Sequence, residues 1–293
     1  MGWRGCKSNY LYYMQNRVIV DDAETIRALA EDERVDRAFV YRPLRNRLFL
    51  RRLLRNLSYK GAHFPHMLPK GDAARTARHT LLWETFNARA ALMAGGVAEL
   101  RPLAQWVRNE SNEEPGVLVQ QIIGQFFKSD FYATPDSWKA ALILQEGRTS
   151  KNVAKMLLWR LTNKVGRAKK LLGSLVNEDI VAMHGIAVAS HNLLTSVKQL
   201  RAFYTAGDFM MAALAVEKSL SAPPVVYRQA LANGVAAGCP YSKFTLFLLK
   251  LKEANQDSQA NDMVFMSGTW SRCPAEQWVP AVIAGIWKLA TQA

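Results

Sequence analysis

The chain has 293 residues, 49% of them hydrophobic, with 38 Lys and Arg against 24 Asp and Glu and a formal net charge of +14. That composition can bury a core in one large domain or two small ones, and it excludes intrinsic disorder. The charge attracts acidic partners (a redox protein, nucleic acid or an anionic membrane surface) without choosing among them. Three cysteines, Cys6, Cys239 and Cys273, are too few for a disulfide framework and suggest thiols in a reducing compartment. No CxxC or HExxH spacing supports a zinc site. No apolar run reaches the ~18 residues of a membrane span, and the start MGWRGCKSNYLYYM lacks the apolar core and cleavage site of a signal peptide. The expectation is a soluble cytoplasmic protein with no transmembrane span.

In chain order the pattern is mainly helical. Residues 22–34 predict a short polar-faced helix. Residues 43–57 place Leu44, Leu48 and Leu54 near helical spacing, with Arg45, Arg47, Arg51, Arg52 and Arg55 between them. Two glycines and two prolines predict a loop over 59–72, before a helix at 73–94 ended by Gly95-Gly96. Further helices are predicted at 97–108, 117–128, 136–146, 150–172, 178–205 and 208–220, with a polar loop at 109–116. The 150–172 helix would be capped by Thr149 or Ser150 and carries Lys151, Lys155, Arg160, Lys164, Arg167, Lys169 and Lys170. Beyond Pro223-Pro224, VVYRQAL and FTLFLLKL read as short strands, and 275–290 as the closing helix. The whole is mainly α with a small β portion. We expect one domain: a basic helical segment over 1–60, a helical body over 61–220, and strands, a cysteine loop and the closing helix over 221–293.

Cys273 follows a loop, and Pro274 suits the first turn of a helix, where its missing N–H removes no bond. A cysteine there would feel unpaired backbone N–H groups, the helix dipole and Arg272, all favouring thiolate. Such a thiolate is a nucleophile or a metal ligand; the alternative is a small buried cysteine in a turn.

The surrounding motifs resemble those of the cytochrome P450 family. Phe265-Met-Ser-Gly268 followed by Arg272-Cys273-Pro274-Ala275 is similar to its cysteine-ligand loop, Phe-x-x-Gly leading to Cys-x-Gly. Glu217, Pro223, Pro224 and Arg228 in EKSLSAPPVVYRQA match the offsets of its Glu-x-x-Arg…Pro-Pro…Arg signature. PYSKFTLFLLKLKEANQD, residues 240–257, resembles the strand pair ending in Ala-Asn-x-Asp. The chain departs from that pattern at Leu220, where the family has Arg, and at Ala275, where it has Gly. It also has one extra residue between Gly268 and Cys273 and a much shortened stretch between Asp257 and Phe265.

The resemblance implies a reduced cytochrome P450-like fold with haem b as cofactor. It makes Cys273 the thiolate axial ligand of the iron and Arg228 a propionate partner, with Phe265 in the loop that cradles the ligand. Arg75, Arg78, His79 and Trp83 lie on an early helix that would also reach the propionates; for Arg75 and Arg78 a solvated helix face is the alternative. The central segment GIAVASHNLLTS, 185–196, would cross over the haem. It lacks the family's acid and offers Ser190, His191, Asn192 and Thr195 instead. His191 and Thr195 are the catalytic candidates, His191 as a distal acid/base; the alternative for His191 is a hydrogen-bonded core or surface histidine. The implied function is a haem-thiolate oxidoreductase acting on a small organic substrate. The missing acid is compatible with peroxide-driven oxidation, with rearrangement or coupling, or with lost activity. A haem-free binding protein is the alternative that Leu220 favours. The basic helices at 42–60 and 148–170 could dock an acidic electron donor. Nucleic acid is not expected as a partner, since no reader motif accompanies the charge.

Overall fold

The computed structural model describes residues 17–37, 39, 44–56, 58–63, 69–150, 152–256 and 262–292, apart from the side chains of Leu44, Arg45, Leu48, Arg52 and Leu53. Cys6, Lys151 and Asp257 therefore lie outside the described residues, as do 64–68 of the expected loop and most of the link before Asp262. The chain forms two compact units. One comprises Met1–Arg51, Met67–Ala88 and Leu220–Trp278, and the other Arg52–His66, Arg89–Ser219 and Val279–Ala293.

The first unit is built on a four-stranded sheet. β1 (Arg17–Val20) runs parallel to β8 (Leu246–Leu249), and β5 (Val226–Ala230) lies antiparallel between β8 and the two-residue β2 (Val35–Asp36). Helix α1 (Ala23–Glu31) turns Ile26, Leu29 and Ala30 inward, and Asp22 caps it by accepting from the Thr25 N–H at 2.7 Å. With Val20, Val35, Phe247, Leu249 and Met263 they form one apolar core, against which Leu220 also packs. Between the two expected strands the chain inserts a hairpin, β6 (Gly234–Ala236) with β7 (Cys239–Tyr241). Its two turn residues, Ala237 and Gly238, both have positive φ, the geometry that lets a two-residue turn follow the strand twist. Helices α2 (Leu44–Asn56) and α3 (Ala73–Ala94) begin in this unit.

The second unit is helical: α4 (Arg101–Val107), α5 (Pro115–Phe127), α6 (Pro135–Thr149), α7 (Val153–Leu161), α8 (Lys164–Leu175), α9 (Ile180–His184), α10 (Ser190–Ala206) and α11 (Ala212–Ser219). A small hairpin, β3 (Ser58–Tyr59) with β4 (Ala62–His63), occupies part of the expected loop. The helix expected over 150–172 is two helices. Asn163 adopts φ +47° between them, a left-handed conformation that asparagine tolerates and that periodicity does not reveal. Asn152 caps α7 by accepting from the Lys155 N–H, while Thr149 and Ser150 end α6.

The expected 178–205 helix is continuous from Ile180 to Ala206, but Gly185–Ala189 forms a π turn. The Ser190 N–H reaches back to the Gly185 carbonyl. The Ile186 carbonyl accepts from Gln120 Nε2 at 3.0 Å and from Ser190 Oγ at 3.0 Å, so the carbonyl displaced from the α-helical ladder is satisfied. By length and composition this helix could cross a membrane, contrary to the sequence expectation of no such run, but 56% of its most apolar window is buried within the protein. It packs against α4, α5 and α6 as a core helix does. Two short helices, α12 (Leu251–Gln256) and α13 (Asp262–Phe265), follow β8 in the first unit. The closing helix α14 (Trp278–Thr291) begins at Trp278, not 275, and residues 274–277 form a turn.

Fully buried Gln120 also accepts from Ser137 Oγ at 2.5 Å and donates to the Ser137 carbonyl. Gln120→Leu leaves the Ile186 carbonyl and Ser137 short of partners and should lower unfolding stability by about 1–3 kcal/mol, read from urea midpoints at constant m-value.

Candidate functional site

In the first unit three guanidinium groups converge on one indole. Arg37 leaves the end of β2, Arg75 comes from the first turn of α3, and Arg228 from the middle of β5. Their central carbons lie 5.0, 4.4 and 5.7 Å from the centre of the Trp270 ring, and the Lys70 ammonium is 5.6 Å away. The ring's negative face attracts cations, which gives like charges a common platform. Arg75 Nη2 donates to the Trp270 carbonyl at 3.1 Å, and Arg228 Nη2 donates to Ser271 Oγ at 2.7 Å.

Carboxylates are scarce here. Buried Asp36 accepts from the backbone N–H groups of Arg37 (2.5 Å) and Lys70 (2.7 Å), and Asp72 Oδ1 accepts from the Arg75 N–H. Burial pushes the Arg228 pKa down to about 10, with Arg75 adding to the effect and Asp36 opposing it. Burial, then Arg228 and Arg75, push Arg37 well below its usual value, and burial lowers Arg75 too. Arg228 Nε is buried and has no hydrogen-bond acceptor. The site is thus a buried concentration of positive charge, suited to an anionic group with several oxygens.

Cys273 belongs to the same unit. Met266 and Gly268 bend the preceding loop at φ +52° and +73°. The Cys273 N–H donates to the Phe265 carbonyl at 2.8 Å, so Phe265 fixes the cysteine through its backbone. The residue keeps some exposure, yet burial around the sulfur raises the thiol pKa, against a lowering by the Ala275 N–H and by Arg37. The closing helix begins five residues after Cys273, so the helix-start position expected for this cysteine is corrected and the dipole is displaced with the helix. Arg272 is not the assisting charge either: its guanidinium stacks on Trp83 at 3.8 Å. His79 contacts the Arg272 carbonyl through Nε2 at 3.0 Å and stacks with Trp83, and burial lowers its pKa. Arg78 sits one residue earlier on α3, half-buried. Glu217 is exposed.

No family model matches this sequence, and no curated protein matches it. Solved structures do. Cytochrome P450EX alpha with myristic acid superposes with a TM-score of 0.61 at 13% identity, covering 94% of this chain and 81% of that one. A variant of cytochrome P450 OleT in complex with arachidonic acid gives 0.59 at 12% identity, covering 93% and 80%. A six-coordinated cytochrome P450 from Thermus thermophilus gives 0.57 at 12% identity, covering 92% and 83%.

The chain has a reduced, divergent cytochrome P450-like fold. Within it Cys273, Phe265, Arg228, Arg75, His79 and Trp83, all named from the sequence, share the first unit with Asp36, Arg37, Lys70, Trp270 and Ser271, which were not singled out. Trp270 and Ser271 stood inside the cysteine loop already quoted; Arg37 carried no local signal at all.

His191 and Thr195 belong to the second unit. His191 packs on Trp138 with ring centres 5.0 Å apart, in a shallow cavity of about 640 Å³ that Lys139, Leu142 and Lys198 also line. Burial lowers its pKa to about 4, a hydrogen bond to the Ala141 backbone opposing and Arg148 and Lys198 assisting. Thr195 is exposed, and its hydroxyl donates to the His191 carbonyl at 2.9 Å. Among the described residues no group of three or more His, Cys, Asp and Glu side chains could hold a metal ion.

Because His191 binds its proton less tightly when folded, the unfolded chain takes up the extra proton as pH falls. Its contribution to stability is complete above about pH 6.5 and is lost between there and pH 4, about 3 kcal/mol in all. The urea midpoint of the wild type should fall relative to that of His191→Gln as pH drops through that interval.

Proposed function

We propose that this chain is a haem-thiolate oxidoreductase of the cytochrome P450 type acting on a small organic substrate. The observation that carries the reading is the cluster of buried Arg75 and Arg228 with half-buried Arg37 in the unit that holds Cys273. Haem b brings two propionates, and the cluster supplies buried guanidinium donors, among them an Arg228 Nε without an acceptor. The donor set therefore fits the group: guanidinium forks for the carboxylates, one thiol for the iron. Thiolate-ligated haem supplies the electron density that favours O–O cleavage.

The chain's own residues have separable roles in this reading. Phe265 holds the Cys273 backbone, and the Ala275 N–H and Arg37 stabilise the sulfur once it is deprotonated. Trp270 keeps Arg75, Arg228 and Arg37 gathered without adding charge. The segment 185–196 contains no carboxylate to pass protons. With a pKa of about 4, His191 is neutral at pH 7 and holds no proton for delivery as an acid, and the Thr195 hydroxyl is bonded to its own helix. These features favour use of peroxide directly over dioxygen with a reductase. If a reductase does serve, the arginine helix α2, which exposes Arg51 and Arg55, is the docking face for an acidic donor. Structural neighbours carry myristic acid, arachidonic acid and an acyl-carrier-protein-bound hexadecenoic acid, so long-chain acids are the first substrates to try.

The purified protein should show a Soret band that shifts on reduction under carbon monoxide to the position of a thiolate-ligated haem. Cys273→Ala should abolish that shift, and Arg228→Met should weaken haem uptake by the apoprotein about 10–100-fold. A protein that takes up no added haem sinks the proposal. Peroxide alone should support turnover at least as well as a reductase with NADPH.

One second reading has specific support. Leu220 replaces the arginine that would pair with Glu217, and it packs against the apolar core of the sheet unit. The replacement of that arginine by an apolar residue favours a haem-free binding protein, and the same haem titration decides between the two.

A further inference from the structure

Helix α7 is built with its apolar side outward. Trp159 is buried, whereas Val153, Leu157, Leu158 and Leu161 are 56–80% exposed. At 100° per residue these four and exposed Ala154 fill one uninterrupted arc with no polar side chain in it. A helix of a soluble fold normally turns that stripe inward, and exposed apolar patches of this kind mark interaction sites.

The charge around the arc is one-sided. Between Glu146 and Glu178 the sequence holds eight Lys and Arg and no Asp or Glu. Not all of these cations face solvent. Lys155 pairs with Glu146, and Lys169 turns inward to the carbonyls of Arg55 and Ser58. Arg160 borders the arc, and Arg167 and Lys170 are exposed on α8, whose first residue, Lys164, lies over Trp159 at 4.7 Å.

We propose that α7 and the start of α8 form a docking surface for an anionic phospholipid bilayer, with the protein lying on the membrane and not spanning it. The aliphatic arc is the part that enters the acyl boundary, and exposed Arg160, Arg167 and Lys170 meet the headgroup phosphates. A second copy of the chain is disfavoured as the occupant, because it would bring the same cations against themselves. A specific protein partner usually docks on aromatic anchors, and the arc has none. The proposal does not depend on haem binding.

The test is flotation of the full-length protein with vesicles of phosphatidylcholine alone and of phosphatidylcholine with phosphatidylserine. The wild type should float with the anionic vesicles only, and less so as salt is raised. Leu157→Glu with Leu161→Glu should weaken that binding about tenfold or more, at unchanged melting temperature since both side chains are exposed. Exchanging Arg160, Arg167 and Lys170 for Gln should remove the preference for anionic lipid. Absence of wild-type flotation, or flotation indifferent to the two glutamates, overturns the proposal. So does a concentration-dependent dimer that the glutamates dissolve, or retention on an immobilised acidic ferredoxin without any vesicle binding.

Discussion

Three guanidinium groups held around one indole set the terms for the first unit. Arg37, Arg75 and Arg228 come from a strand end, a helix start and a mid-strand position, and like charges in a buried setting repel strongly. Their assembly rests on Trp270 as an uncharged but electron-rich platform, and on Asp36, which ties the Arg37 and Lys70 backbones together. Burial is the main cause of the lowered arginine pKa values, and Asp36 only partly opposes it. A buried cluster of this kind is most easily understood as half of an interaction whose other half is an anion.

Cys273 depends on that arrangement. Its loop carries both Trp270 and Ser271, which meet the arginines, so the loop that ends at the sulfur also positions the cation cluster. The thiol is insulated, with a pKa raised by burial, and it is served by one backbone N–H and by Arg37. A buried thiol of this kind is a poor free nucleophile at neutral pH and a reasonable ligand, because metal coordination supplies the charge that desolvation withholds.

The second unit solves a different problem. Its central helix is long and apolar, and it departs from α-helical geometry where Gly185 starts a π turn. The displaced carbonyl of Ile186 is taken up by Gln120, a fully buried side chain whose other bonds go to Ser137. That carbonyl is thus satisfied, while α7 leaves its aliphatic stripe to the outside, in a neighbourhood rich in cations. Eight of the chain's 38 Lys and Arg fall between Glu146 and Glu178, with no Asp or Glu among them.

The sequence by itself determined the mainly helical class, most helix positions, the two principal strands, and the order of three motifs that carry the cytochrome P450 resemblance. Periodicity, caps and glycine or proline breaks are local, so they survive without tertiary information. It also marked Cys273, Arg228 and the Arg75–Trp83 helix, because these lie inside contiguous motifs. What it could not determine is whatever depends on residues distant in the chain. Asp36 and Arg37 join the site only because β2 pairs with β5. The break at Asn163 and the π turn at Gly185 are choices between near-degenerate helical geometries, decided by packing. The closing helix starts at Trp278 and not beside Cys273, so burial acts on the thiol without the adjacent dipole that the local reading invoked. The outward face of α7 was equally invisible: an apolar stripe in a sequence says that a helix is amphipathic, and only the fold decides which side meets water.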